Sequence, residues 1–417
     1  MAKPKIRFKG YTDDWEQRKF GDDNDLITGY PFESEKFSEE GIKLVRGMNV
    51  KRGYLDFSND ICMRWNSTDG LENYLLEADD ILIQMDGALI GKSYAKIAEE
   101  QLPALLVQRV TRARTRSKDA CTDFMYQTIQ RDFLRYIGMN KTETAVPHLS
   151  LNDIYNFKIM VPCLEEQQQI GAYFSNIDNL ITLHQRKCEE TKKLKKYMLQ
   201  KMFPKNGQTV PEIRFAGFTD AWEQRKLGET CKLNGRIGFR GYTERDIVTK
   251  EAGGVLTFSP TNIVNNKLTM ECKNTYITRE KYDESPEIKI ANGDILFVKT
   301  GSTLGKSALV TGLKEDASIN PQIVVMRVEK DSETFMSNVL ITHGIMKQVA
   351  AVKIGGAVPT MTETELKNLT YFAPVQKEEQ KKIGDYFTNL DHFITLHQHK
   401  CEQLQSMKKF MLQNMFV

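Results

Sequence analysis

Apolar positions recur every three or four residues along 165–203, and the same pattern returns along 378–416. A period of about 3.5 residues predicts a long helix that buries a narrow seam against another helix. Neither stretch contains a proline, so each helix can continue without a break. We therefore expect two long helices that pack as an antiparallel coiled coil. The seam positions are Ile170, Phe174, Ile177, Ile181, His184, Cys188 and Thr191 in the first stretch, and Ile383, Phe387, Leu390, Ile394, His397, Cys401 and Leu404 in the second.

A second repeat precedes each predicted helix. The segment 4–21 returns as 211–228, and both copies contain Trp-Glu-Gln-Arg-Lys. The chain is therefore two tandem copies of a unit of about 210 residues, which is too long for a solenoid repeat. Each copy is predicted to be a globular domain of mixed α/β (α+β) class followed by its long helix. The expected boundaries are 1–164, 165–206, 207–377 and 378–417.

The middles of the two copies diverge, but one strand-and-turn pattern survives in both. Residues 80–93 align with residues 294–307, and each begins as an apolar strand that breaks at two glycines before Gly-Lys-Ser. A phosphate-binding loop needs four residues between its glycines, whereas both copies have only three. A turn that closes a pair of strands explains the pattern better.

Composition limits the class of protein. The 417 residues are 40% hydrophobic and 27% charged, which is enough apolar material for the cores of two or three domains. No run of about 18 apolar residues predicts a membrane span, and the N-terminus lacks the apolar core of a secretory signal. Seven scattered cysteines without a Cys-x-x-Cys pair favour reduced thiols and a cytoplasmic protein. The net charge of +3 is too small to indicate a partner by itself.

Few residues suggest catalysis or metal binding. The pairs His184 with Cys188 and His397 with Cys401 could form a zinc site, but all four lie on the seam, where packing explains them better. No Gly-x-Gly-x-x-Gly loop follows a strand, and no Asn-Pro-Pro-aromatic segment is present to position an amine for methyl transfer. We therefore predict no catalytic centre, metal or cofactor in this chain.

Basic residues cluster in the divergent middles. The run 107–118 contains no acid, and three of its arginines alternate so that they would share one face of a strand. Such a face is either solvated or contacts DNA. The run 232–242 places two arginines among three glycines, where the backbone can approach a ligand closely. The lysines of the two Gly-Lys-Ser turns could contact phosphates. The candidate DNA-binding residues are Lys92, Arg112, Arg114, Arg116, Arg236, Arg240 and Lys306.

The order of head, divergent domain and helix, followed by a second copy, resembles that of the specificity (S) subunit of type I restriction–modification systems. The resemblance is carried by the doubled Trp-Glu-Gln-Arg-Lys head, the doubled Gly-x-x-x-Gly-Lys-Ser turn and the doubled Glu-Glu-Gln…Ile-Gly-x-Tyr-Phe helix. It covers essentially the whole chain. It implies two target recognition domains, each of which reads one half of a bipartite DNA target, and spacer helices that set the distance between the half-sites.

The resemblance also implies partners. Two modification subunits, which carry S-adenosylmethionine and methylate adenine at N6, would dock on the helices. Restriction subunits would bring ATP-driven translocation and cleavage, and the chain itself would be non-catalytic. Because the middles of the two copies differ, the two half-sites are expected to differ.

Similarity between the helices extends beyond the seam, which favours docking of one kind of partner on both. The identical positions expected to be exposed include Glu165, Glu166, Gln167, Asn176, Gln185 and Lys187. Two alternatives remain open. A coiled-coil scaffold, or another DNA-binding protein, would explain the helices without restriction–modification. A self-contained nuclease or methyltransferase would be active without partners.

Overall fold

The computed structural model describes residues 3–87, 90–140, 148–205, 207–235, 241–352 and 358–417. The chain forms two compact units, one of residues 1–185 with 399–417 and one of residues 186–398. Both units combine strands with helices, so the predicted mixed α/β class is confirmed. None of the helices in these ranges is long and apolar enough to cross a membrane.

The first unit contains a sheet with the strand order β2-β8-β5-β6, a sheet with the order β4-β3-β7, and the pair β1-β9. Its strands are β1 (Glu16–Lys19), β2 (Asn24–Thr28), β3 (Ile42–Val45), β4 (Arg64–Trp65), β5 (Ile81–Gln84), β6 (Tyr94–Lys96), β7 (Ala104–Leu106), β8 (Val110–Thr115) and β9 (Lys158–Val161). The helices that begin in it are α1 (Phe20–Asp23), α2 (Thr122–Thr128), α3 (Leu134–Asn140), α4 (Leu151–Tyr155) and α5 (Leu164–Lys201). A π-helical turn, Ile129–Phe133, joins α2 to α3.

The second unit repeats this plan. Its sheets have the orders β11-β20-β17-β18 and β12-β16-β13-β19, with the pairs β10-β21 and β14-β15. Its strands are β10 (Glu223–Lys226), β11 (Cys231–Gly235), β12 (Ile247–Val248), β13 (Val255–Phe258), β14 (Ile263–Val264), β15 (Lys267–Leu268), β16 (Thr275–Ile277), β17 (Ile295–Val298), β18 (Ser307–Leu309), β19 (Ala317–Ile319), β20 (Ile323–Val328) and β21 (Thr370–Ala373). Its helices are α6 (Leu227–Thr230), α7 (Arg279–Asp283), α8 (Glu333–Val339), α9 (His343–Val352), α10 (Glu363–Lys367) and α11 (Lys377–Asn414).

The apolar strand that both repeats share is buried on both of its faces. In β5, Ile81 and Ile83 enter one core cluster, whereas Leu82 enters another on the opposite side of the sheet. In β17, Ile295 and Leu296 are divided between two clusters in the same way. Burial on both faces explains why the sequence is a continuous apolar run there instead of an alternating one.

The glycine-rich segment after this strand is a turn, as predicted. β5 pairs with β6, and β17 pairs with β18, both antiparallel, and a strand rather than a helix follows Gly-Lys-Ser. Gly87 and Gly91 have φ angles of 89° and 73°, and Gly301 and Gly305 have φ angles of 102° and 94°. This left-handed backbone favours glycine, so the glycines serve the turn and no phosphate-binding loop is formed.

The core of the first unit is completed by residues that follow α11. Phe416 stacks on Phe124 with ring centroids 5.2 Å apart and lies edge-on to Trp15 of the repeated head at 5.9 Å. In the second unit, Phe203 follows α5 and stacks on Phe335 at 5.7 Å. Each repeated head therefore packs against the end of the helix that belongs to the other sequence repeat.

The helix seam is confirmed within each unit. Ile170, Phe174 and Ile177 are buried in the first unit, and Ile383 and Phe387 are buried in the second. The segments of α5 and α11 are antiparallel and are joined by an equivalent ion pair in each unit. In the first unit Lys408 Nζ lies 2.6 Å from Asp178 Oδ1, and in the second Lys195 Nζ lies 2.7 Å from Asp391 Oδ2. Burial lowers the pKa of Lys408.

Two of the positions expected to be exposed are buried instead. Glu166 accepts hydrogen bonds from Arg7 Nε at 2.7 Å and Nη2 at 2.8 Å, and its carboxylate has no exposed surface. Arg214 and Glu379 form the same pair at the same distances in the second unit. Gln167 is buried because its amide Nε2 donates to the carbonyls of residues 119 and 162, which lie before the helix. The identity of Glu166 and Gln167 between the repeats therefore reflects contacts of the helix with the domain that precedes it, with the head in the case of Glu166.

Replacing Arg7 with Met should destabilise the first unit by about 3 kcal/mol, because the buried Glu166 carboxylate would lose its counter-charge. The double variant Arg7→Met/Glu166→Met should recover much of this loss, because no uncompensated charge remains. Urea unfolding, with hydrogen exchange to assign the affected unit, measures both effects. An Arg7→Met chain as stable as the parent would show that this ion pair does not stabilise the joint.

Candidate nucleic-acid interface

The arginines of β8 lie on one face of the strand and meet carboxylates from the same unit. Arg112 is buried and forms an ion pair with Asp25. Arg114 donates from Nε to Asp80 Oδ1 and from Nη2 to Asp80 Oδ2, both at 2.7 Å. Burial lowers the pKa of Arg112, whereas the hydrogen bonds to Asp80 raise the pKa of Arg114. The anions that separate the guanidinium groups are therefore supplied by the protein, from sequence positions far from β8.

The Arg114–Asp80 pair recurs in the second unit. The strand registers place Arg327 of β20 at the position of Arg114, and Asp294 precedes β17 as Asp80 precedes β5. Arg327 Nε lies 3.4 Å from Asp294 Oδ1. A pair present in both units belongs to the common framework. A DNA contact by Arg112 or Arg114 stays a prediction, and it would require these ion pairs to open.

The remaining candidates are more accessible. Arg116 is 62% exposed and lies 3.6 Å from Asp25, while Lys92 and Lys306 are exposed at equivalent places at the end of the glycine-rich turns. These three side chains can reach a phosphate without breaking a buried contact. Arg236 and Arg240 lie outside the described residues.

Two turns lie side by side at one end of the central sheet of the first unit. One is the glycine-rich turn after β5, and the other, residues 107–110, joins β7 to β8. Met85 N donates to Arg109 O at 2.9 Å, which ties the turns together, and Val110 N donates to Val107 O at 3.3 Å. We call this pair of turns the reading edge. The sequence analysis did not single out Arg109, because a run of basic residues does not show which of its arginines adopts an unusual backbone conformation.

Arg109 is the exposed arginine of this edge. Its side chain is 68% exposed, and its Nη1 atom lies 3.1 Å from Asp86 Oδ2 of the adjacent turn. Its φ angle is 70°, in the left-handed region. An arginine is rarely found in this conformation, which is most often adopted by glycine, asparagine or aspartate.

The second unit has an equivalent edge with different side chains. Ile323 N donates to Asn320 O at 3.1 Å, and Lys299 N donates to Gln322 O at 2.8 Å, so Gln322 occupies the place of Arg109. Gln322 is exposed and its Oε1 accepts from Asn320 Nδ2 at 3.2 Å. The backbone of the edge is thus repeated, while Arg109 is replaced by Gln322 and Asp86 by Thr300.

The long helices carry a second repeated surface. Apolar side chains between 40% and 56% exposed occupy four equivalent positions on each helix. At about 100° per residue they form a stripe roughly 120° away from the seam. We call it the outer stripe. It consists of Leu180, Leu183, Leu194 and Tyr197 on α5 and of Phe393, Leu396, Met407 and Phe410 on α11.

Each unit presents one half of the outer stripe from both helices. The first unit contains Leu180 and Leu183 with Met407 and Phe410, and the second contains the other four residues. Because the helices are antiparallel and carry their stripes at the same rotation from the seam, the two stripes of a unit lie on the same side of the helix pair. Exposed apolar surface of this extent on both helices is typical of a binding site for another protein.

The seam cysteines are packed against the opposite helix. In the second unit the Cys188 thiol donates to Ile394 O at 3.9 Å, and in the first the Cys401 thiol donates to Ile181 O at 3.7 Å. Across the described ranges, no group of three or more His, Cys, Asp or Glu side chains is arranged to hold a metal ion. The seven cysteines are free thiols.

Both repeats are similar to known proteins. Residues 12–193 and 219–406 each match the family described as the type I restriction modification DNA specificity domain. The MjaVIII type I restriction enzyme specificity subunit of Methanocaldococcus jannaschii is 24% identical over 422 residues, covering 95% of this chain and 91% of that protein. The EcoAI specificity subunit of Escherichia coli is 28% identical over 169 residues, covering 40% of this chain and 28% of that protein. The crystal structure of the type I S subunit from M. genitalium has the same fold, with a TM-score of 0.67 at 13% identity, covering 100% of this chain and 99% of that one.

Proposed function

The chain belongs to the type I restriction–modification DNA specificity family, and we propose that it selects the DNA sequence on which such a complex acts. Each unit is a target recognition domain, and each reads one half of a bipartite target. The chain contributes recognition and no catalytic group. The observation that carries this proposal is that the framework is repeated while the exposed edge of each unit differs.

The two half-sites differ in sequence because the two reading edges differ in chemistry. Arg109 with Asp86 presents a charged donor, whereas Gln322 with Asn320 presents amides that can both donate and accept. Base edges in the major groove carry distinct patterns of donors and acceptors, so these side chains favour different bases. The target is therefore asymmetric.

Exposed cations on each unit hold the DNA backbone. Lys92 and Arg116 in the first unit and Lys306 in the second are accessible. Contacts of this kind orient a protein on the duplex, provide most of its non-specific affinity and weaken as salt rises.

The outer stripe docks two modification subunits, one on each unit. An apolar surface that is present twice, at equivalent positions, fits two copies of the same partner. Glu165, Asn176 and Lys187 are exposed, as are their equivalents, and they extend this common surface. Gln185 is also exposed, on the opposite side of the helix. The modification subunits would carry S-adenosylmethionine, and restriction subunits would add the ATP-dependent activities. The length of α5 and α11, each of 38 residues, would set the separation of the half-sites.

The proposal is tested by mapping N6-methyladenine across the genome in cells that express the modification subunits with and without this chain. We expect methylation of one bipartite sequence when the chain is present and none in its absence. A coiled-coil scaffold outside restriction–modification predicts the same methylation in both strains. The purified chain alone should neither methylate nor cleave DNA, which separates the proposal from a self-contained enzyme.

A further inference from the structure

We propose that Arg109 is the specificity-determining residue of the first unit and that it reads a guanine in the major groove. This inference rests on the proposed function, since it assigns a base to a half-site that the first unit contacts.

The backbone at Arg109 adopts a conformation that is unusual for an arginine. In the described part of the chain, the non-glycine residues with positive φ are Asp79, Arg109, Asn265 and Asn266. Aspartate and asparagine tolerate this conformation because their short side chains hydrogen-bond locally, whereas arginine gains nothing from it. A conformation that is costly for its residue type and sits on an exposed turn is characteristic of a functional position.

The side chain of Arg109 is exposed to solvent. Arg109 projects from the turn with 68% of its side chain exposed, so packing does not explain the presence of an arginine there. Arg112 and Arg114, three and five residues along the same segment, are held in ion pairs within the unit. Arg109 is therefore the arginine of this edge that can enter a groove.

Asp86 favours a base over a phosphate. Its carboxylate lies 3.1 Å from Nη1 of Arg109 and places a negative charge beside the guanidinium group. Among the described residues no group accepts a hydrogen bond from the Arg109 side chain, so its parallel Nε and Nη2 donors remain available. This pair of donors matches O6 and N7 of guanine. A phosphate at the same place would be repelled by the Asp86 carboxylate, whereas the guanine acceptors are uncharged.

The equivalent residue in the second unit provides a contrast. Gln322 occupies the same turn, and its exposed amide is suited to an adenine instead of a guanine. Substitutions at Gln322 should therefore affect the other half-site and leave the guanine preference of the first unit unchanged.

The test uses the complex of this chain with its modification subunits and a panel of duplexes that carry each base at each position of the methylated target. For Arg109→Gly we expect the preference for guanine at one position of the first half-site to fall about tenfold to a hundredfold, as for loss of a bidentate contact. Glycine suits a φ angle of 70°, so the Tm should equal or exceed that of the parent. If Arg109 had only a structural role, its replacement would lower the Tm, and the base preference would not relax in a variant of unchanged stability.

Two variants serve as matched controls. Arg116→Ala should weaken binding to every duplex by the same factor and leave the base preferences unchanged. The slope of the logarithm of the binding constant against the logarithm of salt concentration should fall by about one, as expected for the loss of one phosphate contact. Gln322→Ala should alter only the second half-site. The inference is overturned if Arg109→Gly keeps every base preference, weakens all duplexes equally, or lowers the Tm well below the parent's. A parent complex without any sequence preference would instead contradict the proposed function.

Discussion

Replacing Phe393 and Leu396 with lysine should remove one of the two modification subunits from the complex. Both side chains belong to the outer stripe of the second unit and are 51% and 41% exposed. Two lysines buried in an apolar interface would remove most of the partner's affinity. Loss of a single anchor residue commonly costs 2 kcal/mol or more, which raises the dissociation constant roughly 30-fold. Native mass spectrometry should show a complex with one modification subunit in place of two.

The isolated chain should fold as before, because changes on an exposed helix surface usually alter stability by about 0.5 kcal/mol or less. Thr388→Lys is the matched control, since residue 388 is exposed on the same helix on a side away from the outer stripe. Leu180→Lys with Leu183→Lys should have the equivalent effect on the first unit, and the four substitutions together should abolish assembly. Two modification subunits bound to the fourfold variant would show that the outer stripe is not the docking surface.

Phe416→Ala should destabilise the unit that contains residues 1–185 by about 3–5 kcal/mol, the usual cost of truncating a buried phenylalanine. The ring is 4% exposed and contacts Phe124, Trp15 and Phe174 with centroid distances of 5.2, 5.9 and 5.9 Å. Hydrogen exchange should report faster exchange in β1 and α2, although these elements lie some 290 residues or more before the substitution.

Phe203→Ala is the mirror control, because Phe203 fills the equivalent place in the second unit. It should accelerate exchange in β10 and α8 and leave the first unit protected. If Phe416→Ala affected only the second unit, the assignment of the helix ends to their cores would be wrong.

Local patterns predicted much of this fold. The 3.5-residue period predicted the seam that Ile170, Phe174 and Ile177 form, and the glycine spacing predicted the turn that follows β5. Both features depend on residues close together in the sequence, so their geometry follows from the helix and strand repeats. The tandem organisation could also be predicted, because the sequences of the head and of the helix each occur twice.

Contacts between distant segments could not be predicted. The acid-free run around Arg112 and Arg114 predicted a basic face that is solvated or contacts DNA, but its ion-pair partners come from other segments. Asp25 lies in β2 and Asp80 immediately precedes β5, and both strands pair with β8. Glu166 was expected on the surface, and its partner Arg7 lies in the head of the repeat. Periodicity gives the face of an element and not the residue opposite it. The φ angle that distinguishes Arg109 is likewise absent from the sequence pattern.

The central claim is that each unit reads its own half-site, and exchanging one unit tests it most directly. Residues 210–376 would be replaced by the equivalent region of a related specificity subunit, with the head–helix contacts of Arg214 and Glu379 retained at the joints. Methylated adenines would then be mapped across the genome with the modification subunits present. We expect one half of the methylated sequence to change while the other half and the gap stay the same. A change in both halves, or in neither, would contradict the assignment of one half-site to each unit.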